Sequence, residues 1–116
     1  MSTILLVEGD AIIRNDFCEA LSSEGHRVLE SQNTDEAVRT AAQYRGAIDL
    51  LIASDAGAPY ADWHALTVQV KKLRPEVRVL IITGRESASM SARDALLEMP
   101  VTCGGLLQAV QSLLCV

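Results

Sequence analysis

Three polar residues each close an apolar run, and together they suggest phosphoryl chemistry. Glu8 follows Ile4, Leu5, Leu6 and Val7; Asp55 follows the run Leu50, Leu51, Ile52, Ala53 and then Ser54; Thr83 follows Val79, Leu80, Ile81 and Ile82. Parallel strands bring their C-terminal ends to one edge, where ligands bind. Two carboxylates meeting there repel unless a cation lies between them. A hard divalent ion such as Mg²⁺ takes one or two carboxylates together with water and phosphate oxygens. Asp55 would then be a nucleophile or metal ligand, Glu8 a metal ligand, and the Thr83 hydroxyl a donor to a phosphoryl oxygen. Each has a plainer reading. Asp55 is also a turn or helix-capping type, and Thr83 is also an ordinary sheet residue. Asp10, two residues after Glu8, reads as a helix cap rather than a ligand. Arg85 reads first as an exposed loop residue and second as a charge-assisted donor to phosphate.

The elements that must position these residues alternate in type. Thr3–Val7 is a strand, apolar enough to be buried on both faces. A helix over Asp10 to Glu24 carries Ile12, Ile13, Phe17, Ala20 and Leu21 at helical spacing, and Gly25 stops it. Arg27–Ser31 is mixed in polarity, as an edge strand would be. Asn33 and Glu36 form a capping-box-like start to a second helix, with Ala37, Val38 and Ala41 on one face and an end near Gly46. Leu50–Ser54 is a strand, and Asp55 to Asp62, with Gly57 and Pro59, is a loop. Trp63–Leu73 is a third helix, closed by Pro75. Arg78–Thr83 is the fourth strand. Gly84 to Ser91 has no good apolar face, so a helix there would be short. Ala95–Glu98 is a brief fifth strand. Gly104-Gly105 opens a last helix striped by Leu106, Leu107, Val110, Leu113 and Leu114. Strands alternating with helices make a parallel sheet with crossover connections.

The bulk composition narrows the function classes. The 116 residues suit one domain, and 49% hydrophobic content supplies a core without a disulfide or metal staple. A net charge of -5 disfavours a nucleic-acid binder, which needs a basic face. Lys71, Lys72, Arg74 and Arg78 form a basic cluster that reads as a solvated helix end. Cys18, Cys103 and Cys115 are odd in number and lack CxxC spacing, so they read as buried thiols in a reducing compartment. His26 and His64 lack companion ligands and read as surface or capping residues. There is no Ser/His/Asp arrangement with a nucleophile elbow, and the glycine pair lacks nucleotide-loop spacing, so an enzyme is not expected. With no signal peptide and no apolar stretch near membrane length, a cytoplasmic protein without membrane contact is expected.

From residue 4 to about 114 the chain resembles the receiver domains of two-component response regulators. The stretches that carry this are ILLVEGD (4–10), SDAGAP (54–59) with Asp62, VLIITG (79–84), and LLEMPV (96–101) followed by LLQAV (106–110). The resemblance implies a flavodoxin-like α/β fold: a doubly wound, five-stranded parallel sheet with helices on both faces. It implies a single domain over 1–116 with no output domain. It also implies roles. Asp55 matches the aspartate phosphorylated by a histidine kinase or phosphotransfer protein. Glu8 matches the first of two acids that hold Mg²⁺, and Gly57 the residue whose main-chain carbonyl completes the metal shell. Thr83 matches the hydroxyl residue that meets the phosphoryl group.

The departures from the pattern point to a degenerate member. Gly9 stands where the second acid is usual, Met99 where a lysine precedes the proline, and Ala95 where an aromatic switch residue is common. The stretch from Thr83 to Met99 is short, which implies a shortened fourth helix. Losing an acid weakens the cation site, and losing a lysine removes a fixed charge worth a few kcal/mol, roughly 2.7–4 for one comparable donor. Phosphorylation at Asp55 is therefore expected to be weakened and signalling to run through protein–protein interaction. Two alternatives remain open: an ordinary Mg²⁺-dependent switch using Arg85 or another cation, and a flavodoxin-like cofactor-binding protein or small enzyme, with Tyr60 and Trp63 in the relevant loop.

Overall fold

The computed structural model describes residues 2–54, 60–83, 95–98 and 102–114; for 60–63, 83 and 95–98 it describes the backbone alone. The elements run β1 (Thr3–Val7), α1 (Ala11–Ser23), β2 (Arg27–Ser31), α2 (Thr34–Gln43), β3 (Leu50–Ser54), α3 (Tyr60–Leu73), β4 (Arg78–Thr83), β5 (Ala95–Glu98) and α4 (Cys103–Leu114). The strands form one parallel sheet in the order β2-β1-β3-β4-β5. Chain order reverses between β1 and β3, which opens a crevice at the C-terminal strand ends.

Alternation along the strands divides the core into two layers. Leu5, Val7, Leu51, Ala53, Val79 and Ile81 face α2 and α3, meeting Ala37, Ala41, Leu66 and Val70. Ile4, Leu6, Leu50, Ile52, Leu80 and Ile82 face α1 and α4, meeting Phe17, Leu21, Leu106 and Val110. Both faces are covered, which is why these strands are apolar throughout. β2 lies at an edge, as its mixed composition predicts.

The helix boundaries follow local chemistry. Asp10 accepts from the Ile12 and Ile13 amides, and α1 ends at Ser23 with Glu24 as its C-cap, followed by Gly25, whose φ of 87° suits glycine. Asn33 accepts from the Glu36 amide to start α2. Thr102 accepts from the Gly105 amide to start α4. These caps each contribute about 1 kcal/mol.

The structure corrects several expectations. α3 starts at Tyr60, so the loop expected to run to Asp62 ends earlier. α2 ends at Gln43 rather than near Gly46. Ile12 and Ile13 are 75% and 37% exposed, so only Phe17 and Leu21 of the α1 stripe are buried. Both isoleucines lie in the first turn of α1. Cys18 and Cys103 are half-buried; Cys115 lies outside the described residues, as does the segment expected to hold a shortened helix after β4.

The basic cluster is also corrected. Arg74 donates from Nε to the Ala41 carbonyl at 3.1 Å, from Nη1 to Gly46 at 2.6 Å, and from Nη2 to Tyr44. Arg78 Nη1 donates to the Leu113 carbonyl. Two of the four cations are therefore clamps on main-chain oxygens. Lys71 and Lys72 occupy the last turn of α3, where cations complement the helix dipole.

Candidate functional site

Glu8 is placed by continuing the β1–β2 ladder one residue past β1: its amide donates to the Ser31 carbonyl at 3.1 Å. Its side chain is 2% exposed. An isolated buried carboxylate is costly. Here Glu8 Oε2 accepts from the Asp10 amide at 3.1 Å, so the turn into α1 supplies a donor. Asp10 turns its own carboxylate the other way, with Oδ1 capping α1 at 2.9 and 3.2 Å. The expectation that Asp10 caps α1 is met.

Gly9, between them, is exposed. Among the described residues a Cβ built there would meet only the Gln32 carbonyl oxygen, at an ordinary 3.6 Å, and the backbone is not left-handed. Glycine is thus not demanded by conformation. Among the described residues the position has room for a side chain, and none of them gives a steric cause for the missing acid.

Sheet register aligns the other strand ends with this one. Val7 pairs with Ala53, Ala53 with Ile81, and Ser54 with Ile82. Thr83 comes next on β4, paired with Glu98 of β5. Glu8 and Thr83 therefore leave neighbouring parts of the same sheet edge. Asp55, next in sequence after Ser54, lies outside the described residues, as do Gly57, Arg85 and Met99; of Thr83 and Ala95 only the backbone is described. Among the described residues no group of three or more His, Cys, Asp or Glu could hold a metal ion.

Two features near Glu8 carry no strong signal in sequence. Arg14, one turn into α1, donates from Nη1 to the Glu8 main-chain oxygen at 2.8 Å, and its Nε lies 3.7 Å from Glu30 Oε1 on β2. Ser31 is fully buried and its hydroxyl has no hydrogen-bond partner. An arginine six residues after Glu8 could have been noticed as a candidate partner, but its acceptor is a carbonyl, which every residue has. Further along the same helix, burial pushes the Cys18 thiol above its usual 9.0; the Ser22 hydroxyl opposes this, and the charges of Glu30 and Glu19 add to it.

The remaining candidates separate from this edge. His26, half-buried, has an unpartnered Nδ1 and lines a groove with Ser2, Glu24 and Gln111 at the strands' N-terminal side. His64 is exposed on α3. Among the described residues no helix is long and apolar enough to cross a membrane.

No family model matches the chain. It is 29% identical over 83 residues to sensor kinase CckA of Brucella abortus (strain 2308), covering 72% of this chain and 9% of that protein. It is 29% identical over 94 residues to the DNA-binding transcriptional regulator NtrC of Azospirillum brasilense, covering 81% of this chain and 19% of that protein. The chain thus spans less than a fifth of the length of these curated relatives. Among solved structures, it is similar to the receiver domain of hybrid histidine kinase CckA, with a TM-score of 0.83 and 27% identity over 97% of this chain and 99% of that one.

Proposed function

Since this chain is a response-regulator receiver domain, we propose that it is a weakened phosphoacceptor that signals chiefly through protein contacts. The observation that carries this is Glu8, the one buried acid among the described residues, followed by a Gly9 that those residues leave room for a side chain. The substitution of Met99 for a lysine supports it from the sequence.

Asp55 is the acceptor. Its carboxylate oxygen attacks the phosphorus of a phosphohistidine, the P–N bond breaks, and the electron pair returns to the imidazole nitrogen, which then takes a proton. An acyl phosphate forms on Asp55. Thr83 offers its hydroxyl to a phosphoryl oxygen. Glu8, Asp55 and the Gly57 carbonyl are the residues that would hold Mg²⁺. The donor set fits such an ion in part, because Glu8 is an oxygen ligand already ordered by the Asp10 amide, while Gly9 adds none. The ion would supply charge neutralisation during transfer. With one acid and no lysine that neutralisation is incomplete, and each tenfold of rate corresponds to about 1.4 kcal/mol.

The donor is a histidine kinase or phosphotransfer protein. The exposed pair Ile12 and Ile13, beside the Glu8 turn, supports a docking contact at this edge, since exposed apolar residues next to a polar site are interface material.

Incubation with a small phosphodonor and Mg²⁺, followed by intact-mass measurement, tests the reading. We expect slow, substoichiometric addition of one phosphoryl group, absent in Asp55→Ala. Rapid stoichiometric addition would overturn the claim of weakening. Equal labelling of Asp55→Ala would overturn the choice of acceptor.

A further inference from the structure

The turn that holds Glu8 has a physical difficulty. It must keep a buried carboxylate at a fixed place beside Gly9, the residue type with the widest backbone freedom. Glycine has no side chain to pack and restrict it, and among the described residues an added Cβ would meet only Gln32. The Asp10 cap orders the helix start but not the Glu8–Gly9 peptide. The contact that addresses that peptide comes from Arg14, whose Nη1 donates to the Glu8 carbonyl oxygen at 2.8 Å. The guanidinium is itself held toward β2 by Glu30, and its side chain is 15% exposed against 46% for Glu30. One cation therefore joins α1, the turn and the neighbouring strand. Its planar fork suits two directional contacts at once.

We infer that Arg14 is the positioning residue for Glu8: by pinning the Glu8–Gly9 peptide plane it aims the carboxylate, through the Asp10 amide, at the cation position. This deepens the function proposed above and, for its effect on metal, rests on that reading. The charge of Arg14 and its positioning role push metal affinity in opposite directions. Removing a cation near the site would favour Mg²⁺. Loosening the carboxylate would disfavour it, because Mg²⁺ demands near-ideal octahedral geometry. Glu30 offsets the charge of Arg14, so positioning dominates.

The test uses the whole chain and three readouts: exchange of the Asp10 amide by NMR, Mg²⁺ affinity by calorimetry, and Tm. Arg14→Ala is expected to speed exchange at Asp10 about tenfold relative to β1 amides. It is expected to lower Mg²⁺ affinity by roughly 10- to 100-fold, the usual cost of losing a residue that orients a ligand. Arg14→Lys, which keeps the charge and one donor, should recover most of the exchange protection. Glu8→Gln marks the exchange rate of a turn without its carboxylate. A lower Tm with Asp10 exchange and metal affinity unchanged would reduce Arg14 to a structural contact and sink the inference. So would tighter Mg²⁺ binding in Arg14→Ala. If the wild-type chain neither binds Mg²⁺ nor accepts a phosphoryl group, the proposed function fails, while Asp10 exchange still judges the positioning role.

Discussion

The two edges of the sheet are built differently. At the edge where strands begin, main-chain groups are tied in pairs: the Asp49 carboxylate accepts from the Thr3 amide at 2.8 Å, the Asp49 amide donates to Thr3, and the Arg78 amide donates to Asp49. Arg74 closes three carbonyls of the α2 end, and Arg78 reaches the last turn of α4. At the edge where strands end, the described residues include a buried acid, an exposed glycine, an unpartnered Ser31 hydroxyl and two exposed isoleucines. Most polar groups at the first edge serve the fold, the unpartnered His26 Nδ1 excepted. Among the described residues, those at the second include one buried hydroxyl without a partner, at the edge where ligands bind in parallel sheets.

Breaking the first edge should cost the most. Arg74→Ala strands three carbonyls at once, and hydrogen bonds to charged groups are worth about 1.5–3 kcal/mol each, with partial replacement by water. We expect a loss of about 3 kcal/mol in chemical denaturation, with phosphoryl uptake of the folded protein unchanged. A comparable drop in uptake would mean that the two edges are coupled. The second edge should respond in the opposite sense. Gly9→Asp restores a second carboxylate where the backbone accepts one, and should raise Mg²⁺ affinity about tenfold, or about 1.4 kcal/mol, in a calorimetric titration. Unchanged affinity would show that the missing acid is not what limits the site. The smallest effect is expected at Ser31. Ser31→Ala removes a buried hydroxyl that makes no hydrogen bond, so stability should hold or rise by up to about 1 kcal/mol. A clear loss would reveal a partner for that hydroxyl.

The same contrast explains what could be read in advance. β1, β3 and β4 were legible because both faces of each are buried, leaving unbroken apolar runs. Asp10, Gly25 and Asn33 were legible because capping and left-handed turns select few residue types. Glu8 was legible as the polar residue that ends such a run. Ile12 and Ile13 misled, since helical spacing records a face but not how much of that face is covered. Arg74 and Arg78 misled more deeply. Their acceptors are carbonyls of Ala41, Tyr44, Gly46 and Leu113, and nothing in those side chains marks them as partners.

What this sequence determined alone is the order of elements, the two-layer alternation of the core and the arrival of Glu8 and Thr83 at one sheet edge. Those follow from periodicity and chain direction, which are local properties. The tertiary structure decided how deeply Glu8 is buried, that Arg74 and Arg78 grip the backbone, and that the described residues leave space at position 9 for an acid. Each of these depends on main-chain groups brought together from distant segments, and main-chain groups are chemically the same at almost every residue.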